Sequence, residues 1–375
     1  MRVAIFIDDF SATGVVINAI AIAKQLHTEG HTVQLVATRA EGALIDTVPA
    51  NIPVIGLLSA RKARSSRRGR LRQSIPAFRR LLKKCPPDVL FSAGAHGHLL
   101  SLFVSLGIPG CRTIIRISND LDQKINGKPS RPFSQWWRAA KFWVMAKLAD
   151  QMVFVSRHMV RNRAISKKNS IQKAIVIPNG VDVKEVCQRA DESCPHQWIG
   201  NGSDIPLIVG VGRLELQKNF ANLLRAVAIA RQSRPLRLLL IGFGSLQDEL
   251  LREAALLGIS DSVKIIPPIS NPIPYLAQAS VVAVPSWWEG SSNVLLEALA
   301  CGTPVVASRT AGNAEDVLAY GRFGLLVDPD DIEGMAVALL IQSSDLAQRP
   351  GERALEFSRA SALRAYTELI GAQSF

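Results

Sequence analysis

Short apolar runs alternate with helix-spaced patterns along the chain, and that alternation leaves few folds open. Residues 2–7, 32–37, 88–92, 112–117, 151–155 and 174–178 read as strands of one unit. Residues 206–212, 236–241, 263–266, 281–284, 304–307 and 324–327 read as strands of a second. Helical patterns such as Phe220, Leu223, Leu224, Val227 and Ala228 lie between them. Strands separated by helices imply parallel sheets covered by helices on both faces. The fold class is therefore α/β, with two Rossmann-like, doubly wound parallel-sheet domains facing across a cleft, and 375 residues suffice for both. The expected boundaries are 1–185 for the first domain, 186–204 for a linker, 205–355 for the second domain and 356–375 for a last helix. The linker is polar from Gln188 to Asp204, contains Pro195, Gly200, Asn201 and Gly202, and lacks a clear period.

Charge is shared unevenly. Residues 1–185 hold 29 Lys and Arg against 11 Asp and Glu, and the remainder 15 against 20. The excess peaks in Arg61, Lys62, Arg64, Arg67, Arg68, Arg70, Arg72, Arg79, Arg80, Lys83 and Lys84. A second basic stretch, residues 133–147, interleaves Trp136, Trp137 and Trp143 with Arg138, Lys141 and Lys147. Tryptophan beside Lys and Arg suits a lipid headgroup zone, and an interdomain helix with its aromatics in the core fits the same pattern. On an anionic leaflet each cation of 61–84 would contribute roughly 1 kcal/mol; a solvated loop or a polyphosphate-binding patch reads equally from those residues. No apolar run reaches membrane-spanning length, and the N-terminus lacks the regions of a signal peptide. Five scattered cysteines without C-x-x-C pairs suggest neither a disulfide framework nor a zinc site, which fits a reducing cytoplasm.

The segment Trp287-Trp288-Glu289-Gly290-Ser291-Ser292-Asn293-Val294-Leu295-Leu296-Glu297 carries the clearest chemistry. Gly290 to Asn293 are turn and cap residues, and the apolar run from Val294 stops at Gly302. Glu289 thus precedes a helix N-terminus and Glu297 lies about one turn inside. The free N–H groups of such a terminus hold anions, and a carboxylate on either side suits the hydroxyl-rich rings of a nucleotide sugar. Arg213 and Lys218 share a strand-to-helix loop after 206–212, where two cations can clamp a diphosphate, though a solvated loop reads equally from such a pair; a helix capped by Asn219 follows. Gly242 and Gly244 either admit a ligand to the backbone or make a tight turn. Asp8 and Asp9 read as exposed or turn-capping carboxylates, since nothing nearby completes a metal set. His96 and His98 lack further zinc ligands and read as cleft-wall or structural histidines. Cys301 reads as a small core residue.

Together these pieces resemble the retaining glycosyltransferases of family 4, whose fold is GT-B. The resemblance covers nearly the whole chain. It rests on Gly212-Arg213 with Lys218, Pro285-Ser286 before Glu289, the Glu289–Glu297 pair, Gly302 to Ala307, Ile177 to Asp182, Val155-Ser156 and Gly324 to Val327. It implies that Arg213 and Lys218 hold the donor diphosphate and that Glu289 contacts the donor sugar. Gly290, Ser291, Ser292, Asn293 and Val294 would line the diphosphate, the middle three offering backbone N–H groups. Glu297 would take the ribose, Gly14 would lie where acceptor, donor and phosphate meet, and the base would sit by Pro268-Ile269. Glu289, Arg213 and Lys218 are the implied catalytic residues. The last helix, residues 356–370, would cross back to the first domain. One departure stands out: where many members carry a histidine after the strand Thr113–Ile117, this chain has Ser118-Asn119-Asp120. Ser118 and Asn119 fall nearest and cannot do a histidine's proton work near neutral pH, so His96 joins them as an acceptor-side candidate.

The implied activity is retaining transfer from a nucleotide diphosphosugar, a UDP-sugar favoured, with no cofactor and no metal. The acceptor would be a lipid-linked glycan or polysaccharide of bacterial cell-surface glycan synthesis, met at the inner face of the cell membrane through 61–84 and 133–147. A nucleotide-sugar epimerase or hydrolase of the same fold is the alternative. A polyanion-binding protein is a third reading, against which no nucleic-acid-binding motif is present.

Overall fold

The computed structural model describes residues 1–59, 66–119, 124–125, 128–129, 132–161, 173–199, 204–344 and 347–372. In chain order the first strands are β1 (Arg2–Ile7), β2 (Thr32–Ala37), β3 (Val54–Gly56), β4 (Val89–Ser92) and β5 (Arg112–Ile117). A short antiparallel pair follows, β6 (Lys124–Ile125) and β7 (Lys128–Pro129), then β8 (Gln151–Phe154) and β9 (Ala174–Val176). The later strands are β10 (Leu207–Val211), β11 (Arg237–Ile241), β12 (Val263–Ile266), β13 (Val281–Val284), β14 (Val305–Ser308) and β15 (Leu325–Val327). They form two sheets with parallel pairings, in the orders β3-β2-β1-β4-β5-β8-β9 and β12-β11-β10-β13-β14-β15. Of the strands in these two sheets only β3 was not expected, its three residues being partly exposed and too few to show a pattern, and the two-residue strands β6 and β7 were not expected either.

In each sheet the strand order reverses once, between β1 and β4 and between β10 and β13. Helices leaving the two sides of such a point diverge and open a crevice beyond the carboxyl ends of the strands. Strand β1 shows why these runs are apolar at every position. Val3, Ile5 and Ile7 enter one core with Leu35 and Phe91, while Ala4 and Phe6 enter another with Phe78 and Leu82.

The basic stretch is partly a helix, Arg67–Lys84, capped by Ser66 Oγ, which accepts from Gly69 N. Ser74, Phe78 and Leu82, four apart, are its buried face, and Phe78 stacks on Phe6 at 5.0 Å between ring centroids. Arg68, Arg72, Arg79, Arg80, Lys83 and Lys84 are exposed, whereas Arg61, Lys62 and Arg64 lie outside the described residues. The helix Pro132–Leu148 buries Phe142 and Met145 and turns Trp136, Trp137 and Trp143 outward, so these tryptophans are not core.

The chain divides into two compact units, Met1–Leu121 with Arg131–Ile177 and Ser361–Phe375, and Asp122–Ser130 with Pro178–Ala360. Along the chain the change of unit comes after Ile177. The expected linker is largely built in, because Val186 and Ile199 belong to the second unit's core; Gly200, Asn201 and Gly202 lie outside the described residues. The helix Arg359–Gly371 delivers Tyr366 and Ile370 to the first unit's core. There Tyr366 Oη accepts from Nε of the fully buried Arg116 at 2.9 Å, and Arg112 donates to the Ile370 carbonyl at 2.6 Å.

Candidate functional site

The reversal point of the second sheet gathers the residues singled out there. The loop after β10 carries Gly212 to Lys218, and the loop after β13 carries Pro285 to Asn293. Lys218 Nζ reaches Glu289 Oε1 at 2.8 Å, and the Ser286 hydroxyl donates to the same oxygen at 2.5 Å. Glu289 is buried, so this carboxylate is fixed by an ammonium and a hydroxyl in a nearly dry setting. Gln217 ties the two loops: its carbonyl oxygen accepts from Trp287 N, its amide donates to the Trp288 carbonyl at 2.9 Å, and its Oε1 accepts from Arg213 Nη2 at 3.2 Å.

Asn219 is not a side-chain cap. It adopts a left-handed backbone, φ 55°, and its amide donates to the carbonyls of Pro285 at 3.1 Å and Pro329 at 2.8 Å, pinning the β10 loop to the β13 loop. Gly242 and Gly244 serve the protein's own backbone. A Cβ at Gly242 would lie 1.9 Å from Gly212 O, and one at Gly244 would lie 2.3 Å from Leu214 O.

The helix Asn293–Ala300 starts at Ser292, whose Oγ accepts from Leu295 N at 3.4 Å. Ser292 N itself donates to Asn313 Oδ1 at 3.2 Å, so of the three N–H groups expected to face an anion this one is already engaged. Asn293 N, another of the three, and Val294 N beside it sit in the first turn, where the helix supplies no acceptor. The Asn293 side chain accepts from Asn179 at 2.9 Å, which joins the Ile177–Asp182 motif to the helix start. Gly290 is held by Gly312, φ 67°, where a Cβ would meet Gly290 O at 2.7 Å.

Glu297 lies one turn into this helix, and burial raises its pKa above the ordinary 4.5, offset in part by Arg189 and Arg359. Both cations are tied to Glu185, at 3.6 and 2.6 Å. Burial likewise pushes the Cys301 thiol up to about 12, and the residue packs on the second core as expected.

Beside the Lys218–Glu289 pair lies a cavity of about 680 Å³ lined by Val211, Gly212, Arg213, Glu215, Ile241, Gly242, Phe243, Gly244, Ser245, Pro268, Ile269 and Pro272. Its walls are mostly apolar, Arg213 stands at one edge, and Phe243 is 70% exposed. Glu215 accepts from Ser245 N and Oγ, and those bonds lower its pKa. The arrangement suits a flat aromatic base beside an anion.

In the first unit, Gly14 begins the helix Gly14–Thr28 after β1, and Ser118 and Asn119 follow β5 with partial and full exposure. Asp120 lies outside the described residues. Asp8 and Asp9 are not solvent-exposed: Asp8 pairs with Arg67 at 3.0 Å and Arg70 at 3.8 Å, and Asp9 with Arg39 at 3.2 Å. Burial works against the charge of Asp9, but bonds from Ser11 and Arg39 outweigh it and lower its pKa. His98 is fully buried against Ser92 Oγ at 2.9 Å, and burial lowers it to about 3, so it is a neutral structural residue. His96 is exposed, and partial desolvation, then Arg67 and Lys141, lower its pKa. Among the described residues no group of three or more His, Cys, Asp or Glu comes together as metal ligands.

Two family descriptions match the chain, "Glycosyltransferase Family 4" over residues 12–185 and "Glycosyl transferases group 1" over residues 205–345. The chain belongs to glycosyltransferase family 4. It is 34% identical over 208 residues to a Campylobacter jejuni N-acetylgalactosamine-N,N'-diacetylbacillosaminyl-diphospho-undecaprenol 4-alpha-N-acetylgalactosaminyltransferase, a match covering 54% of this chain and 52% of that protein. It is 34% identical over 178 residues to the lipopolysaccharide core biosynthesis glycosyltransferase LpsE of Rhizobium meliloti, covering 46% and 51%. The matched stretches thus span about half the length of these curated relatives. The Anabaena protein HepE, solved in complex with UDP, shares the fold over 100% of both chains with a TM-score of 0.77 at 18% identity. WaaG, involved in lipopolysaccharide biosynthesis, does so with a TM-score of 0.75 at 17% identity, over 99% and 100%. The fold is GT-B, with two Rossmann-like parallel-sheet domains.

Proposed function

We propose that this protein transfers a sugar from a nucleotide diphosphosugar, a UDP-sugar favoured, to a lipid-linked or polysaccharide acceptor with retention at the anomeric carbon. The observation that carries the reading is the Lys218–Glu289 pair at the second sheet's reversal point, set beside the apolar cavity and Arg213. As the bond from sugar to phosphate lengthens, the ring carbon becomes oxocarbenium-like and negative charge grows on the departing diphosphate. Arg213, Lys218 and the N–H groups of Asn293 and Val294 stabilise that charge more in the transition state than in the ground state. Glu289, held by Lys218 and Ser286, accepts from hydroxyls of the donor sugar, and Glu297 accepts from the ribose. The leaving phosphate takes the acceptor's proton. Two cations and a helix start perform the charge neutralisation, so the proposed reaction proceeds without a metal.

The relatives named for undecaprenol-linked and lipopolysaccharide substrates support a lipid-borne acceptor. Trp136, Trp137 and Trp143 are 62%, 57% and 57% exposed, and with the exposed cations of Arg67–Lys84 they fit peripheral attachment to an anionic leaflet. No helix among the described residues is long and apolar enough to cross a membrane. Co-sedimentation with phosphatidylglycerol vesicles, lost when the three tryptophans become Ala, is the expected result; equal binding by the triple variant refutes that attachment.

The function is tested by calorimetry against UDP-, GDP-, ADP- and dTDP-sugars, with and without chelator. One tight donor, unaffected by chelator, is expected. Absence of binding across the panel refutes the donor assignment, and sugar release to water without transfer would favour a hydrolase.

A further inference from the structure

The reversal point of the first sheet has its own charged cluster. It lies beyond the carboxyl ends of β2, β1 and β4, where Arg39, Asp8 and Asp9, and His96 follow the three strands in turn. Two helices add cations: Arg67 and Arg70 from Arg67–Lys84, and Lys141 from Pro132–Leu148. Asp8 anchors both guanidiniums, and Arg70 is largely buried in doing so, with 12% of its side chain exposed. Lys141 is different. It is half-buried, its Nζ donates to the Ala95 carbonyl at 3.2 Å, and among the described residues no carboxylate pairs with it. A partly desolvated ammonium without a counter-charge is unfavourable unless an anion arrives to share it.

Among the described residues the acids facing this cluster are Asp8, Asp9 and Glu41, and the last two are engaged by Arg39. The cations left to act on His96 are Arg67 and Lys141, and both lower its pKa. His98, neutral and buried beneath, adds no charge.

We propose that Arg67, Arg70, His96 and Lys141 form a second anion site, at the reversal point of the first sheet, that takes a phosphate or diphosphate group carried by the acceptor. The assignment to the acceptor rests on the reading of the first unit as the acceptor side; the anion site itself does not. Asp8 sets the spacing of the two guanidiniums, Lys141 supplies the uncompensated charge, and His96 donates a hydrogen bond as the anion draws a proton to its ring. A neutral sugar acceptor would leave Lys141 as it stands, so the site discriminates for acceptors that bear phosphate.

The test uses the full chain saturated with UDP, so that the second-unit site is filled, and a Lys218→Ala chain as a control. Pyrophosphate and inorganic phosphate are titrated while the His96 imidazole signal, assigned with His96→Gln, is followed by NMR against pH. The expected result is that bound anion raises the His96 pKa in both chains, and that Lys141→Gln and Arg67→Gln each weaken anion binding by roughly 10- to 100-fold. No movement of the His96 signal in the UDP-saturated chain, or equal binding by both variants, overturns the site. A second arm compares a phosphate-bearing acceptor with its dephosphorylated form. Lys141→Gln is expected to raise KM for the first and leave it for the second; an unchanged KM for both overturns the acceptor assignment. Loss of donor binding in the calorimetric panel with an intact His96 response would sink the transferase reading and leave the anion site standing.

Discussion

Replacing Lys218 by Ala separates what the Lys218–Glu289 pair does for the fold from what it does for the reaction. The ammonium lies 2.8 Å from an oxygen of a carboxylate whose side chain is 8% exposed. Breaking a buried pair by removing one partner costs about 3–5 kcal/mol. The lower end applies, because Ser286 still donates to the stranded oxygen and Lys218 is itself 17% exposed. A loss of about 3 kcal/mol corresponds to a fall in melting temperature of roughly 6–12 °C for a domain of this size. In the reaction, one charge-assisted contact to the diphosphate is worth about 1.5–3 kcal/mol, or roughly 10- to 150-fold in kcat/KM. The double variant Lys218→Ala with Glu289→Gln carries no stranded charge, so it is expected to recover most of the melting temperature and none of the turnover. Thermal melts by circular dichroism and initial rates on the donor found by calorimetry measure both. A single variant that melts like the parent, or a double variant that melts no higher than the single, refutes the account of the pair. Recovery of turnover in the double variant refutes its place in the chemistry.

Glu297→Gln tests the buried carboxylate: its raised pKa means the folded state binds the proton more readily than the unfolded chain, so this group's contribution falls as pH rises through that interval. The variant is therefore expected to melt above the parent at neutral pH, to lose that advantage in acid, and to bind UDP more weakly; equal melting at both pH values speaks against the burial argument. Gly242→Ala forces a Cβ to within 1.9 Å of Gly212 O, and loss of about 1–3 kcal/mol in urea titration is expected together with weaker donor binding. Phe243→Ala removes an exposed ring from the cavity wall and is expected to raise the donor KM roughly 10-fold with kcat nearly unchanged, while Phe243→Tyr restores it; a selective fall in kcat would show that the ring does more than bind.

The strands were legible because a parallel strand covered on both faces must be apolar at nearly every position, as β1 shows with two cores on its two sides. The helix Arg67–Lys84 was not, because its buried face is only Ser74, Phe78 and Leu82, and Gly69 and Pro76 interrupt the pattern. At the site, Arg213, Lys218 and Glu289 could be named from their loops and Glu297 from its place one turn into a helix. The partnership of Lys218 with Glu289 could not, since it joins residues 71 apart through the reversal of strand order. Gln217 and Asn313 gave no signal, because a side-chain amide that ties two loops looks like any other until the loops meet. Asp9 caps its turn as one of the two readings had it, accepting from Ser11 N at 3.1 Å, but the arginine partners of Asp8 and Asp9 gave no signal, since they arrive from the loop after β2 and from a helix that the sequence hid.

The return of Tyr366 and Ile370 to the first unit has a consequence for how the protein is made. At a translation rate of about 5–20 residues per second, the ribosome needs roughly 10–40 s after emitting Ile177 to produce Tyr366. Throughout that interval Arg116, fully buried in the finished protein, lacks the hydroxyl that caps its Nε. The second unit, whose strands β10 to β15 are consecutive, can close first. The nascent first unit is thus the vulnerable half, and a chaperone that shields it need hold on only until the last turns of the Arg359–Gly371 helix leave the exit tunnel.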